Sequence, residues 1–318
     1  MKFKFFYIAL SLLVSAQLWA AEKTTIRIGV QAFGTVDWEL SAIPNDLAAD
    51  FQLDIHPLAN AEAGKIALQS GAVDMIVSDW LWVSKLRATG ADFTFYPYST
   101  ASGALVVPQN SAIHSLADLK GKRLGIAGGE LDKNWLLLQA LAHKQQLDLS
   151  TAVEKVFGAP PLISEQIKQN RVDAVLTYWH FAARLEAQGY KPLINGKGIL
   201  QGLGVTEAVP SVGYVFKESW ANAHKQAVNS FFKASKQAKN RLCTEDAAWQ
   251  KALPLTKADD ALTQNNLRRG YCDGAIGQWG KPQQEAATEL YSLLYTLSNH
   301  QLTGVSEKLS AGTFWTID

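Results

Sequence analysis

From residue 25 onward the chain sets short apolar runs against longer amphipathic stretches. "TIRIGV" (25–30), "FQLDIHPL" (51–58), "AVDMIVS" (72–78) and "FTFYPYS" (93–99) are rich in β-branched and aromatic residues and read as strands. Between them, a stretch near 38–49, another near 60–70 and "WLWVSKLRATG" carry apolar residues at helical spacing. The same order then begins again: "KRLGIAG" (122–128), a helix over about 133–146, "VEKVFGA" (153–159), a helix near 161–170 and "RVDAVLTYW" (171–179). Strands alternating with helices across short links predict right-handed βαβ units, parallel sheets and an α/β fold of two doubly wound lobes.

The halves echo each other in detail. "SGAVDMIVSDWLWVSKLRATGAD" resembles "QNRVDAVLTYWHFAARLEAQGYK": a small or polar lead-in, Val-Asp, an apolar strand, a hydroxyl, an aromatic, then a helix ending near Gly. Convergent βα chemistry alone could produce this, so the similarity supports two lobes without requiring them. "ASGALVVP" (101–108) reads as an extended crossing segment and "PSVGYVF" (210–216) as a returning strand; two crossings make a hinge. The expected organisation is residues 1–20 as a signal peptide, 21–103 as lobe 1, 104–210 as lobe 2, and 211–318 returning to lobe 1 with C-terminal helices.

The first residues set the compartment. "MKFKFFYIALSLLVSAQLWA" has two lysines, an apolar run and a small residue at its end, the pattern of a secretory signal peptide cleaved near Ala20. A membrane anchor fits less well, because the run from Phe5 to Val14 is short for a bilayer. The protein is therefore expected in the periplasm. Loss of Lys2 and Lys4 takes the formal charge from +1 to −1 and leaves no basic surface for nucleic acid. The remaining residues, 47% hydrophobic over the full chain, suffice for a sizeable core in two lobes. Cys243 and Cys272 would meet an oxidising environment, where a bridge closing a loop of about 30 residues would contribute roughly 3 to 4 kcal/mol; two free thiols are the alternative. Neither cysteine has a partner at metal-ligand spacing, and no metal or cofactor is expected.

Ligands of open α/β sheets sit beyond the carboxyl ends of the strands, and that rule selects five loops. They are "GVQAFGTVDW" (29–38), "SDW" (78–80), "TASG" (100–103), "AGGELDKNW" (127–135) and "TYWH" (177–180). Thr35, Ser78, Ser102 and Thr177 supply hydroxyls; Gly103, Gly128 and Gly129 let backbone N–H groups approach; Trp38, Trp80, Trp135, Tyr178 and Trp179 supply rings; Asp37, Asp79 and Asp132 supply carboxylates. Each has a structural alternative. A Trp at a helix start packs in cores, Asp79 and Asp132 can cap their helices, and Ser or Thr after a strand makes local turns. His180 reads as an ordinary packed histidine.

"IRIGVQ", "GALVVPQNSAIHSLADLKGKRLGIAGG" (103–129) and "LTGVSEKLSAGTFW" (302–315) resemble, in this order, the periplasmic solute-binding proteins of ABC importers, in particular the nitrate, sulfonate and taurine type. The resemblance implies a type II-like binding-protein fold, a small molecule enclosed between the lobes, delivery to an inner-membrane permease, a monomer, and no catalysis. It also implies an anionic ligand, and here the residues depart from it. The five loops hold Asp37, Asp79, Glu130 and Asp132 against Lys133 alone, and an Asp132 that caps its helix occupies the N–H groups an anion would use. Carboxylates beside tryptophans suit an amine, a nitrogen heterocycle or a polar aromatic compound.

Two other classes share the architecture. A ligand-sensing protein that docks on a membrane receptor would use the same closing lobes. The chain also resembles the pyrimidine synthases of thiamine biosynthesis, but those use a cysteine-rich iron motif and a reactive histidine, and Cys243 and Cys272 form no such cluster. No Gly-x-Ser-x-Gly elbow is present either.

Overall fold

The computed structural model describes residues 23–32 and 34–317. The signal-peptide reading of residues 1–20 and its cleavage near Ala20 lie outside them. In chain order the first part comprises β1 (Thr24–Gln31), α1 (Val36–Ser41), β2 (Phe51–Leu58), α2 (Ala61–Ser70), β3 (Met75–Ser78), α3 (Trp80–Arg87) and β4 (Phe93–Ser99). The second comprises β5 (Gly103–Pro108), β6 (Arg123–Ala127), α4 (Lys133–Lys144), α5 (Leu149–Ala152), β7 (Glu154–Gly158), α6 (Pro160–Lys168), β8 (Ala174–Tyr178), α7 (Trp179–Ala187), β9 (Tyr190–Asn195) and α8 (Gly196–Leu203). The chain then returns through β10 (Val212–Lys217) into α9 (Glu218–Ala223), α10 (Lys225–Thr244), α11 (Asp246–Thr256), α12 (Ala261–Asp273) and α13 (Lys281–Leu297). No helix among the described residues is long and apolar enough to cross a membrane.

The helix expected near 38–49 is shorter than its apolar pattern. α1 stops at Ser41 and only a 3₁₀ turn, Asn45–Leu47, follows. Pro44 is the cause: its ring disfavours helical backbone at Ile43 and removes an N–H.

The strands form two five-stranded sheets, ordered β2-β1-β3-β10-β4 and β7-β6-β8-β5-β9. The orders are equivalent, with β1 matching β6, β2 matching β7 and β3 matching β8. The fold is thus two α/β lobes, each with a mixed sheet rather than a wholly parallel one. β10 runs antiparallel to β3 and β4, and β5 antiparallel to β8 and β9. These are the two crossing segments: each arrives from the other lobe, enters its sheet from the opposite end and becomes an internal strand.

The Val-Asp echo has a physical basis. Asp74, just before β3, accepts from the backbone N–H of Arg27 (3.0 Å) and from its guanidinium, and returns its own N–H to the Arg27 carbonyl (2.8 Å). Asp173, just before β8, repeats this with Arg123, at 2.8 Å from the backbone N–H, 3.2 Å and 2.8 Å from the guanidinium, and 2.8 Å for the returning bond. The lead-ins match too, since Gly71 and Asn170 both adopt positive φ, 76° and 55°. Each clamp fixes where β3 or β8 joins its neighbour, and a one-residue slip there would send every side chain of the strand to the wrong face.

Ile26, Ile28, Met75 and Phe216 of the first sheet are buried in one core with Phe231 and Phe232 of α10. Leu105, Leu124, Ile126, Leu138 and Leu176 belong to a second core, which continues through Trp80 and Leu290 into the first lobe. Cys243 and Cys272 are joined, with their Cα atoms 5.7 Å apart, and tie the end of α10 to the end of α12.

Replacing both cysteines by serine should lower stability by about 3.5 kcal/mol, from loop-closure entropy at a separation of 29 residues; urea denaturation of the double variant against the parent measures this. A second expectation concerns Asp173, which the Arg123 hydrogen bonds hold below the usual carboxylate range. Its folded-state pKa is depressed, so its stabilising contribution is present above the unfolded-state value of about 4 and disappears as pH falls through the folded value. The loss of stability in Asp173→Asn should therefore be largest near neutral pH and shrink on acidification, as urea melts across pH will report.

Candidate functional site

The carboxyl ends of β3, β6 and β8 converge on the crossing segments at 100–103 and 209–212. Asp79 is the N-cap of α3 and accepts the Trp82 N–H at 3.0 Å. Trp80, fully buried, donates its indole N–H to the Pro210 carbonyl at 2.9 Å and so fastens the returning segment to lobe 1. Across the cleft, the Trp179 N–H donates to the Ser102 carbonyl at 3.0 Å. Gly103 begins β5 where the backbone passes so close to β8 that a Cβ would stand 2.6 Å from the Thr177 carbonyl oxygen. A side chain there would push the crossing strand out of the sheet.

At the Gly-Gly turn, Gly128 takes φ +98°, donates its N–H to the Gly158 carbonyl (2.8 Å) and leaves Asp132 next to its Cα. Gly129 is exposed, and its carbonyl accepts the Asp132 N–H at 2.9 Å. Asp132 caps α4. One carboxylate oxygen accepts the N–H groups of Asn134 (2.9 Å) and Trp135 (3.3 Å) and the Asn134 amide (3.2 Å), and the other accepts the Tyr178 hydroxyl at 3.5 Å. Burial raises the Asp132 carboxyl above its ordinary value and these donors pull it partly back. Burial, and then the Asp132 charge, raises the Tyr178 phenol well above its ordinary range.

Lys133, the next residue, donates to the Ser211 carbonyl at 2.8 Å. Burial lowers its pKa, while Asp79 and Asp132 act in the opposite sense. A cavity of about 20 Å³ remains here, between Trp80, Ser102, Lys133, Asn134, Ile199 and Ser211. The structure thus brings together Asp79, Trp80, Ser102, Asp132 and Tyr178, and adds Lys133 and Asn134, which are absent from the sequence-derived set. The signal for Lys133 was its standing as the one cation in the five loops.

The other candidates lie elsewhere. Trp135 is 2% exposed and packs in the core behind α4. Trp38 is equally buried, with Trp179 (6.2 Å), Trp249 (5.8 Å) and Tyr271 (5.8 Å) against its ring. Trp179 therefore packs lobe 2 onto α1 and α12, where a Cβ on Gly270 would approach its ring to 2.9 Å. Asp37, with its carboxyl raised by burial, accepts the Trp38 N–H at 3.1 Å. The Thr35 hydroxyl lies 3.4 Å from that of Tyr98. Ser78 is buried at the end of β3, and the buried hydroxyl of Thr177 has no hydrogen-bond partner. His180 packs against Phe181 at 4.6 Å and Trp179 at 5.4 Å. Among the described residues, no group of three or more His, Cys, Asp or Glu side chains is placed to hold a metal ion.

The most deeply buried charges are also ones that the sequence reading passed over. Glu39 of α1 and Lys239 of α10, 1% and 7% exposed, lie 3.2 Å apart. Glu39 also accepts the hydroxyls of Tyr214 (2.9 Å), Tyr271 (2.8 Å) and Ser235, and Lys239 donates to the Tyr98 carbonyl at 2.6 Å. Burial lowers the Lys239 pKa, and Glu39 offsets part of the shift.

The capping role of Asp132 can be separated from any contact with solute. Asp132→Ala should cost about 1 kcal/mol in a thermal or urea melt, because it leaves two helix N–H groups without an acceptor, whereas Asp132→Asn should cost appreciably less.

A family model described as NMT1/THI5 like matches residues 48–245, well over half of the chain. No curated protein matches the sequence. Among solved structures, the alkanesulfonate-binding protein SsuA from Xanthomonas axonopodis pv. citri, bound to MOPS, is similar at 19% identity over 93% of this chain and 99% of that one, with a TM-score of 0.69. The periplasmic aliphatic sulphonate binding protein SsuA from Escherichia coli is similar at 18% identity over 93% and 94%, with a TM-score of 0.70. A ligand-binding component of an ABC-type import system from Staphylococcus aureus, with zinc bound, aligns at 15% identity over 92% and 97%, with a TM-score of 0.68. At these identities the structural likeness is one of fold, that of two-lobed binding proteins. On the family match, the chain belongs to the NMT1/THI5-like family.

Proposed function

We propose that the chain is a periplasmic solute-binding protein that captures one small molecule between its lobes and delivers it to the permease of an ABC importer. Supporting this are the two equivalent sheets, the double crossing and the convergence of Asp79, Ser102, Asp132, Lys133 and Tyr178 on the space between them. Closure needs contacts from both lobes, and here lobe 1 supplies Asp79, lobe 2 supplies Asp132, Lys133 and Tyr178, and Ser102 stands on the crossing segment between them.

The ligand is an amine, a nitrogen heterocycle or a polar aromatic compound rather than a simple sulfonate. The single observation that carries this is the state of the α4 N-terminus, where Asp132 already takes the N–H groups of Asn134 and Trp135. A sulfonate such as MOPS, the ligand of the similar Xanthomonas protein, would meet a carboxylate where it needs donors. Lys133 offers one positive charge against Asp79 and Asp132, and its ammonium is engaged with Ser211. Desolvating a sulfonate beside a carboxylate that has already taken the local donors costs several kcal/mol, a loss of about a thousandfold in affinity.

A thermal-shift screen of the purified protein should favour amines and nitrogen heterocycles over taurine, alkanesulfonates and nitrate. The shift should be lost in Asp79→Asn, and small-angle scattering should show compaction with a saturating hit. Submicromolar binding of a sulfonate, with no response to amines, would reverse the ligand assignment. An unchanged scattering profile at saturation would count against closure.

A further inference from the structure

Asp79, Asp132, Lys133 and Tyr178 are each half-buried, so unlike Trp38 and Trp135 they remain partly open to water. Their charges do not balance. The Tyr178 phenol stays un-ionised, because burial and the Asp132 charge both raise its pKa. Asp132 only accepts: its partners are the Asn134 and Trp135 N–H groups, the Asn134 amide and the Tyr178 hydroxyl, a set that suits the ionised form. Two carboxylates therefore face one ammonium, and among the described residues no other charged side chain bears on Lys133 or Asp132. The cluster is one positive charge short of neutral.

The position of Lys133 keeps that deficit open. Its ammonium is committed to the Ser211 carbonyl at 2.8 Å. Ser211 lies beside the end of β3, because β10 pairs Gly213 with Ser78 and the Trp80 indole holds the Pro210 carbonyl. Lys133 is thus close enough for both carboxylates to favour its charged form, yet among the described residues it forms an ion pair with neither. One Asp79 oxygen takes the Trp82 N–H, and the other accepts nothing from the described residues. One Asp132 oxygen has only the Tyr178 hydroxyl, at 3.5 Å. Lys133 therefore supplies charge from a distance and leaves a carboxylate oxygen on each lobe with unused capacity, which a donor from solution can fill.

We propose that Lys133 sets the charge of the solute: the cleft takes a ligand with a single positive charge, whose N–H groups donate to the open oxygens of Asp79 and Asp132, and disfavours uncharged and doubly charged compounds of the same shape. This rests on the amine reading above and narrows it. One ammonium brings the cluster to neutrality. A second would share a poorly hydrated space with Lys133, where like charges repel more strongly than they do in water. An uncharged analogue would leave the excess carboxylate without a counter-charge. Lys133 is a specificity-determining residue that acts through its charge while its ammonium stays on Ser211.

The test is isothermal titration near neutral pH with benzyl alcohol, benzylamine and 1,4-bis(aminomethyl)benzene, which vary charge on one ring. The purified protein should bind benzylamine tightest, by about tenfold over each of the others. Lys133→Met should reverse the order of the two amines, and Lys133→Arg should restore it. A diamine bound as tightly as benzylamine by the unmodified protein, an amine ratio unchanged in Lys133→Met, loss of both amines in a Lys133→Met protein that still melts cooperatively, or no binding of any of the three at millimolar concentration would each overturn the role. Should Lys133→Met fail to fold, the order of the three probes on the unmodified protein decides. Benzylamine bound with an unchanged ratio would leave the amine assignment standing without Lys133, whereas binding of taurine and of none of the three would remove both.

Discussion

The architecture depends on the two strands that carry the chain from one lobe into the other. β5 leaves lobe 1 and is inserted between β8 and β9; β10 leaves lobe 2 and is inserted between β3 and β4. An internal strand is hydrogen-bonded on both edges and buried on both faces, so it cannot be withdrawn without opening its sheet. The lobes are thus bound by two stiff strands, and what remains free to bend is the short stretch before each. Close packing protects those stretches from intruding side chains: Gly103 lies against β8, and Trp80 holds the Pro210 carbonyl. A cleft between lobes tethered this way can change width with little change in either lobe.

Much of this was legible in the sequence because it is written in local terms. β2 and β4 occupy the spans that the apolar runs suggested, and the Val-Asp echo reflects the Arg27–Asp74 and Arg123–Asp173 clamps. The antiparallel insertion of β5 and β10 was not legible, since strand direction in a sheet depends on where the chain comes from and not on side-chain period. The end of α1 was hidden by an apolar pattern that continues past Ser41, while the decisive residue, Pro44, acts through its backbone.

The candidate site was legible in part and for a similar reason. The rule of carboxyl strand ends found Asp79, Ser102, Asp132 and Tyr178, which the fold assembles. It could not separate a tryptophan at the cleft from one beneath it: Trp80 lines the cavity, whereas Trp38 and Trp135 follow equally polar loops and turn into the cores. Helical phase brings Trp135 under α4, and phase relative to the sheet is a tertiary property. Glu39 escaped notice because a carboxylate in "VDWELS" looks like a solvated helix position. Only the approach of α10, α12 and β10, with Lys239, Tyr271 and Tyr214, makes its burial tolerable.

The two buried charge clusters show different solutions to one cost. Glu39 and Lys239 are withdrawn from water as an ion pair inside a ring of hydroxyls, so each charge is matched by the other and their remaining hydrogen-bonding capacity is met within lobe 1. Asp132 and Lys133, adjacent in sequence, diverge: one turns back onto its own helix and the other crosses to a carbonyl of the returning segment. The first arrangement is closed and needs nothing from outside. The second reaches the returning segment, so under the proposed lobe movement a separation of α4 from Ser211 would return to water an ammonium whose pKa burial has lowered. The hydration of Lys133 would favour such a movement, and the exposure of the apolar contacts around Trp80 and Leu290 would oppose it. On the proposed binding role, a solute that bridges the lobes would act on that balance at the first turn of α4, where Asp132 and Lys133 stand.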